Sequence, residues 1–239
     1  MKKRICALAL TLALAAGGLS LASDLKMSDG HILPLGNEVT LREADKSYVG
    51  KELQKEWNRE KVEKEILPAV KRMGLFGKGD ALHEKMMAEQ LGRLFEATRF
   101  SQLQMETKEA FHQAVVMSVK LEEKDIAGWN EIIRAMEKAH PGKIDILGEN
   151  RTLNLETIRE SMKKEDGHDR FVYKKDGQTE FIYGSIFLFA EQYGVETPFY
   201  VFFIAAADKG QFGVTAIYTN QATGRIMEPV LIKGAEGLR

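Results

Sequence analysis

Cysteine is all but missing. The 239 residues contain one, Cys6, and a single thiol closes no internal disulfide. Proline is scarce at five residues, and with 21 glycines the chain is neither low-complexity nor collagen-like. Neither sign of charge dominates: 34 Lys+Arg face 35 Asp+Glu, a net charge of −1. Electrostatic binding of nucleic acid needs a basic face that displaces counterions, so the balance argues against that partner. A hydrophobic content of 44% with balanced charge excludes a disordered chain.

What is present starts with an address. Lys2, Lys3 and Arg4 precede an apolar run over 5–16, and Gly17, Gly18, Ser20, Ala22 and Ser23 follow. Basic, apolar, small is the order of a secretory signal peptide, and cleavage between Ala22 and Ser23 fits its small-residue rule. As an uncleaved anchor the stretch is short: 5–21 is 17 residues, interrupted by Gly17-Gly18, against the roughly 20 that span a bilayer. The expected organisation is therefore a signal peptide, 1–22, and one domain, 23–239. The expected location is the bacterial periplasm or the extracellular space. The mature chain then has 217 residues, 31 basic and 35 acidic side chains, a net charge of −4 and no cysteine. A thiol nucleophile and thiolate-bound zinc or iron–sulfur centres are excluded from it. Chains of this size bury about 70% of their unfolded surface, enough for a core without disulfides.

The pattern of apolar residues predicts an α+β fold, mainly helical with short strands over 23–165 and mainly antiparallel strands over 166–239. Ile32, Leu33, Leu35, Val39 and Leu41 suggest a short strand or hairpin with Gly36-Asn37 as its turn. Val49, Leu53 and Trp57, then Val62, Ile66 and Val70, recur four apart and predict a helix over 45–72 that Pro68 kinks or ends. Glu60 and Lys64 are ordered for an i,i+4 pair on its polar side. Asp80 is placed to cap a helix over 81–97, and Asp125 one that ends at His140-Pro141-Gly142. Leu103, Met105 and Thr107 alternate as a strand. So do Phe111, Val115, Met117, Val119 and Leu121, although a helix over 108–121 is a competing reading. A short strand is expected at 143–147 and a helix capped by Asn154 to about 164. In the last third, 171–174 meets the hairpin dipeptide Asp176-Gly177, and strands follow at 180–193, 199–207 and 212–219. Short links imply a meander of about five strands. The runs 181–190 and 199–207 are apolar without alternation, so amphipathic helices should cover both sheet faces, or a partner should cover the second. Glu191, Glu196 and Pro198 interrupt these runs and argue against a membrane span.

No segment carries a specific catalytic signature. The histidines show no His-x-x-x-His spacing, so no metal site is expected. Asp166-Gly167-His168-Asp169 is the densest polar cluster, but Gly and Asp are also what a turn requires. Gly74-Leu75-Phe76-Gly77-Lys78-Gly79-Asp80 has neither the glycine spacing nor the Ser/Thr of a phosphate-binding loop and reads as a helix–helix link. Ser185 lacks a nucleophile elbow, and Ser161-Met162-Lys163-Lys164 lacks the other elements of a penicillin-binding enzyme. Glu191 ends an apolar run. Ala205-Ala206-Ala207 could floor a small cavity or admit close packing. Trp57 and Trp129 lie on apolar helix faces. The expectation is an exported, non-catalytic envelope protein without cofactor. Its partner would be another envelope protein, a second copy of itself or a small apolar ligand. The alternative is an extracytoplasmic hydrolase built from scattered residues such as His168, Asp169 and Glu191.

Overall fold

Strand and helix periods alternate along the chain, and the computed structural model joins them into one large sheet with helices on both sides. It describes residues 24–37, 39–43, 55, 58–77, 79–144, 146–147, 152–158, 171–192, 195–208 and 211–238. The segment read as a signal peptide, with its expected Ala22/Ser23 junction, lies outside the described residues, as do Trp57, Ser161 and 166–169.

Strands β1 (Asp24–Lys26) and β2 (Ile32–Pro34) form a two-stranded antiparallel hairpin. Its turn is Met27–His31, closed by the Met27 N–H to the His31 carbonyl at 2.8 Å, with Gly30 at φ +99°. Gly36-Asn37 lies in the link after β2, so the expected hairpin exists but turns at an earlier glycine. The main sheet has seven antiparallel strands in the order β3-β4-β5-β9-β8-β7-β6. They are β3 (Val39–Glu43), β4 (Arg99–Glu106), β5 (Phe111–Leu121), β6 (Phe171–Asp176), β7 (Thr179–Gln192), β8 (Val195–Asp208) and β9 (Gln211–Asn220). Two meanders, β3–β5 and β6–β9, join where β5 pairs with β9. The region 108–121 is thus a strand, and the expected hairpin turn at Gly177 (φ +59°) links β6 to β7.

Helix α1 (Arg59–Lys61) runs into a π-helical stretch, Val62–Ile66, and then α2 (Leu67–Met73). Pro68 does not end this helix. The Leu67 N–H reaches back five residues to the Val62 carbonyl, and this wider turn accommodates a proline ring that would clash in a regular α-helix. Glu60 and Lys64 form their exposed pair. Helix α3 (Ala81–Ala97) starts where expected, the Asp80 carboxylate accepting the His83 N–H. Helix α4 (Glu123–Ala139) begins two residues before Asp125. Asp125 caps from inside the first turn, its Oδ2 accepting the Glu122 N–H at 3.1 Å. The helix ends at His140, with Gly142 at φ +74°.

Two further expectations fail. The described residues of 143–147 form no strand: the Glu137 carboxylate takes the Ile146 and Leu147 N–H groups at 2.8 and 2.6 Å, and the Lys143 and Ile144 N–H groups turn back to the His140 carbonyl. The last third also contains an unexpected helix, α5 (Gln221–Glu236). Asn220 caps it through the Thr223 N–H at 2.9 Å. Gly224, Pro229 and Gly234 mask it in the sequence, since each lowers helix propensity. Pro229 and Arg225, the residue whose carbonyl the proline leaves without a helix donor, are both exposed.

The helices divide between the faces. On the hairpin face, β1–β2 and α5 cover Leu103, Val116, Tyr200, Phe202, Ile204 and Ile217, all at 0% exposure. Gly224 lets α5 approach Tyr200, whose ring a Cβ there would overlap. Gly234 lets α5 lie on β2, where a Cβ would stand 2.6 Å from the Pro34 carbonyl oxygen. On the opposite, helix-pair face, α3 and α4 pack together and α3 lies on β5, while Leu155, Ile158 and Ile126 cover the lower ends of β6–β9. Among the described residues no helix is long and apolar enough to cross a membrane.

Candidate binding face

Register determines which side chains share the helix-pair face. Val115 stands opposite Tyr218, which stands opposite Val201, and Val201 stands opposite Ile186. One step along, Met117, Ala216 and Phe203 form the next row. Of these, Val115, Met117, Ala216, Tyr218, Phe203 and Ile186 are only half-buried, although they sit on the central strands of a seven-stranded sheet. Phe199 stacks on Tyr218 with centroids 5.0 Å apart and planes 25° from parallel. On the β4 side the platform meets amides: Gln102 donates to Gln113 Oε1 at 3.0 Å, and Gln102 and Gln104 are both buried. The result is an apolar, partly aromatic surface bordered by fixed amides.

The odd-numbered alternation 111–121 reads as the core face of β5, and it is the platform face. The even-numbered face is the deeper one. Ala114 and Val116 are buried there, together with His112 and Ser118. The polar members are satisfied: Ser118 Oγ lies 2.9 Å from Thr215 Oγ1 and accepts the Ser28 N–H at 2.8 Å, and His112 Nε2 lies 3.3 Å from Thr107 Oγ1. Hydrophobicity alone ranks the two faces wrongly because hydrogen-bonded polar groups can be buried cheaply.

Beside Ser118, at the hairpin tip, Asp29 Oδ2 and His31 Nδ1 stand 3.0 Å apart in the interior. The two atoms are close but make no hydrogen bond to one another, and the second carboxylate oxygen, Asp29 Oδ1, accepts the His31 N–H at 3.1 Å. The Asp29 carboxylate rests on Gly213, where any side chain would overlap it, and the His31 ring meets Phe181 edge-on at 5.2 Å. Ala206 lies between Gly213 and Phe181 in register. The small residues of β8 therefore seat the hairpin tip on this side, the close-packing alternative for that triplet.

His83 and His140, among the described residues, also have partners. His83 Nδ1 lies 2.7 Å from Asp80, and hydrogen bonding to that ring is the main reason the Asp80 carboxyl sits below its ordinary range. His140 Nε2 approaches the Gly74 carbonyl at 2.6 Å. Gly74 and Gly79 adopt φ +64° and +83° in what is a helix–helix link. Among the described residues no group of three His, Cys, Asp or Glu could hold a metal ion. His168 and Asp169 lie outside the described residues. Glu191 pairs with Glu196 through the β7–β8 backbone, and its side chain is not described. Trp129 is half-buried on α4. Comparison with protein-family models, with curated proteins and with solved structures finds no match.

Proposed function

We propose that the chain is an exported, non-catalytic envelope protein that binds a partner protein or a small apolar ligand on the helix-pair face of its sheet. One observation carries this reading: Val115, Met117, Phe203 and Tyr218 are half-buried at the centre of the sheet, where the same strands seal their other face completely. Full burial of a large apolar side chain is worth about 1.5–3 kcal/mol. A half-buried one leaves part of that unrealised, and an occupant of the face recovers it. The amides of Gln102, Gln104 and Gln113 supply the polar contacts that orient a ligand on an apolar floor.

The test uses the mature chain and a neutral apolar fluorophore, N-phenyl-1-naphthylamine, as the probe. Saturable binding with a blue-shifted emission, lost in Met117→Gln and kept in the exposed-site control Leu82→Gln, supports the reading. A photo-crosslinking residue at position 117 in cells reports a protein occupant or a second copy. No saturable probe binding together with no crosslinked product overturns it. Export is checked separately by the mass of the mature chain, expected to begin at Ser23.

A further inference from the structure

A second site lies away from the sheet platform. A cleft of about 390 Å³ opens between the C-terminal half of α3 and the junction of β5 with α4, lined by Gln90, Arg93 and Leu94 on one side and Lys120, Leu121 and Asp125 on the other. Two acceptors in its walls have no hydrogen bond. Gln90 is 4% exposed and its Oε1 has no donor; Asp125 Oδ1 is buried and also lacks one. A buried acceptor left without a partner costs free energy, and more when charged, so both are places where a donor is missing. Gly128 helps create the first. A side chain at that point of α4 would overlap the Gln90 amide, so the glycine allows the amide to sit against the helix backbone.

The cations are equally incomplete. Arg93 Nη1 stands 3.6 Å from Asp125 Oδ1, close enough for attraction and too far for a hydrogen bond. The Arg93 side chain is 43% exposed, while that of Asp125 is 13% exposed and anchored by its cap to the Glu122 N–H. Such a loosely closed pair is what a molecule bearing both charges can open. Its carboxylate replaces Asp125 on the planar guanidinium, where two parallel N–H donors fit two oxygens. Its ammonium replaces Arg93 on Asp125, and a second of its three donors reaches Gln90. Lys120 adds positive charge on the carboxylate side, and Leu94 and Leu121 offer an apolar wall.

We propose that this cleft binds a small zwitterion of the amino-acid class, its carboxylate on Arg93 and Lys120 and its ammonium on Asp125 and Gln90. Glu122 and Asp125 already occupy the start of α4 with negative charge, which disfavours a simple anion there.

The probe is L-leucine, with 4-methylpentanoate and isopentylamine as near-isosteres that each lack one charge. Calorimetry and amide chemical shifts of the mature protein should show leucine binding, with both analogues at least about tenfold weaker, the factor that 1.4 kcal/mol represents. Arg93→Met, Lys120→Met and Gln90→Leu should each weaken leucine. Arg93 and Lys120 are partly exposed, so these variants remain readable if Asp125→Asn weakens the helix cap. Equal binding of leucine and 4-methylpentanoate, shifts confined to residues away from the cleft, or no saturation by leucine at roughly 10 mM overturns the proposal.

Discussion

The two faces of the central sheet are built from the same strands and are finished differently. Ile217 and Tyr218 are neighbours on β9, as are Phe202 and Phe203 on β8. Ile217 and Phe202 are wholly buried under α5 and the β1–β2 hairpin, whereas Phe203 and Tyr218 retain exposure on the helix-pair face. The difference follows from how each cover approaches. α5 comes close because Gly224 and Gly234 remove side chains at its contacts. On the helix-pair face, α3 and α4 pack on one another, and the lower end of the sheet is covered by Ile126 of α4 together with Leu155 and Ile158 of the separate turn 155–158. One face is sealed, and the other retains half-exposed apolar surface, on which the proposed binding rests.

The sharpest way to break the comparison is to truncate matched neighbours. Phe202→Ala should cost about 3–5 kcal/mol, because the cavity under α5 has no room to relax. Phe203→Ala should cost markedly less, since its site already contacts solvent. Equal losses in chemical denaturation would remove the distinction between the faces.

The next effect concerns the glycines of α5. Gly224→Ala would be stabilising by about 1 kcal/mol if helix propensity decided. The overlap with Tyr200 predicts the reverse, a loss of about 1–3 kcal/mol from overpacking. The sign of the change in denaturation midpoint separates the two. A gain in stability would show that α5 does not depend on this close approach.

Tyr200 gives the buried face a pH dependence. Its hydroxyl donates to Glu228 at 3.1 Å. Burial first, and the Glu228 carboxylate second, raise its ionisation well above the ordinary tyrosine range. A group raised in the folded state contributes its stability in full below its unfolded value, near pH 10, and loses it as pH climbs above that. Alkaline titration should therefore destabilise the protein beyond about pH 10, and Tyr200→Phe should flatten that part of the profile. An unchanged profile in the variant would place the alkaline loss elsewhere.

Much of this architecture can be read from residue order. Asp80 and α3, the Asp176-Gly177 hairpin and the long strands β7 and β8 follow from capping chemistry, turn glycines and apolar runs, which are local signals. The misreadings are tertiary. Residues 143–147 look like a strand until Glu137, on the preceding helix, removes their donors. α5 looks unlike a helix because its glycines serve contacts with Tyr200 and Pro34 that no local pattern reveals. The half-exposed apolar platform is half visible: the odd-numbered alternation of β5 marks its residues. Their shallower burial depends on how far α3 and α4 reach across the sheet. The cleft beside α4 has no sequence signal, since Gln90 and Asp125 come to line one cleft only through the packing of α3 against α4.

The smallest stability effect is the most telling for function. Met117→Gln places an amide among half-exposed neighbours, where water already reaches and Gln113 marks the polar border four residues away along β5. Its cost should stay under about 1 kcal/mol, the range of substitutions outside a sealed core. The same change removes the apolar centre of the platform and should abolish fluorophore binding. A large loss of stability would identify Met117 as core. Intact binding in a stable variant would move the recognition surface off this face. Weak structural dependence combined with strong dependence of binding is expected of a side chain retained for a partner, and Ile217→Gln on the sealed face should give the opposite result by unfolding the protein before any binding can be measured.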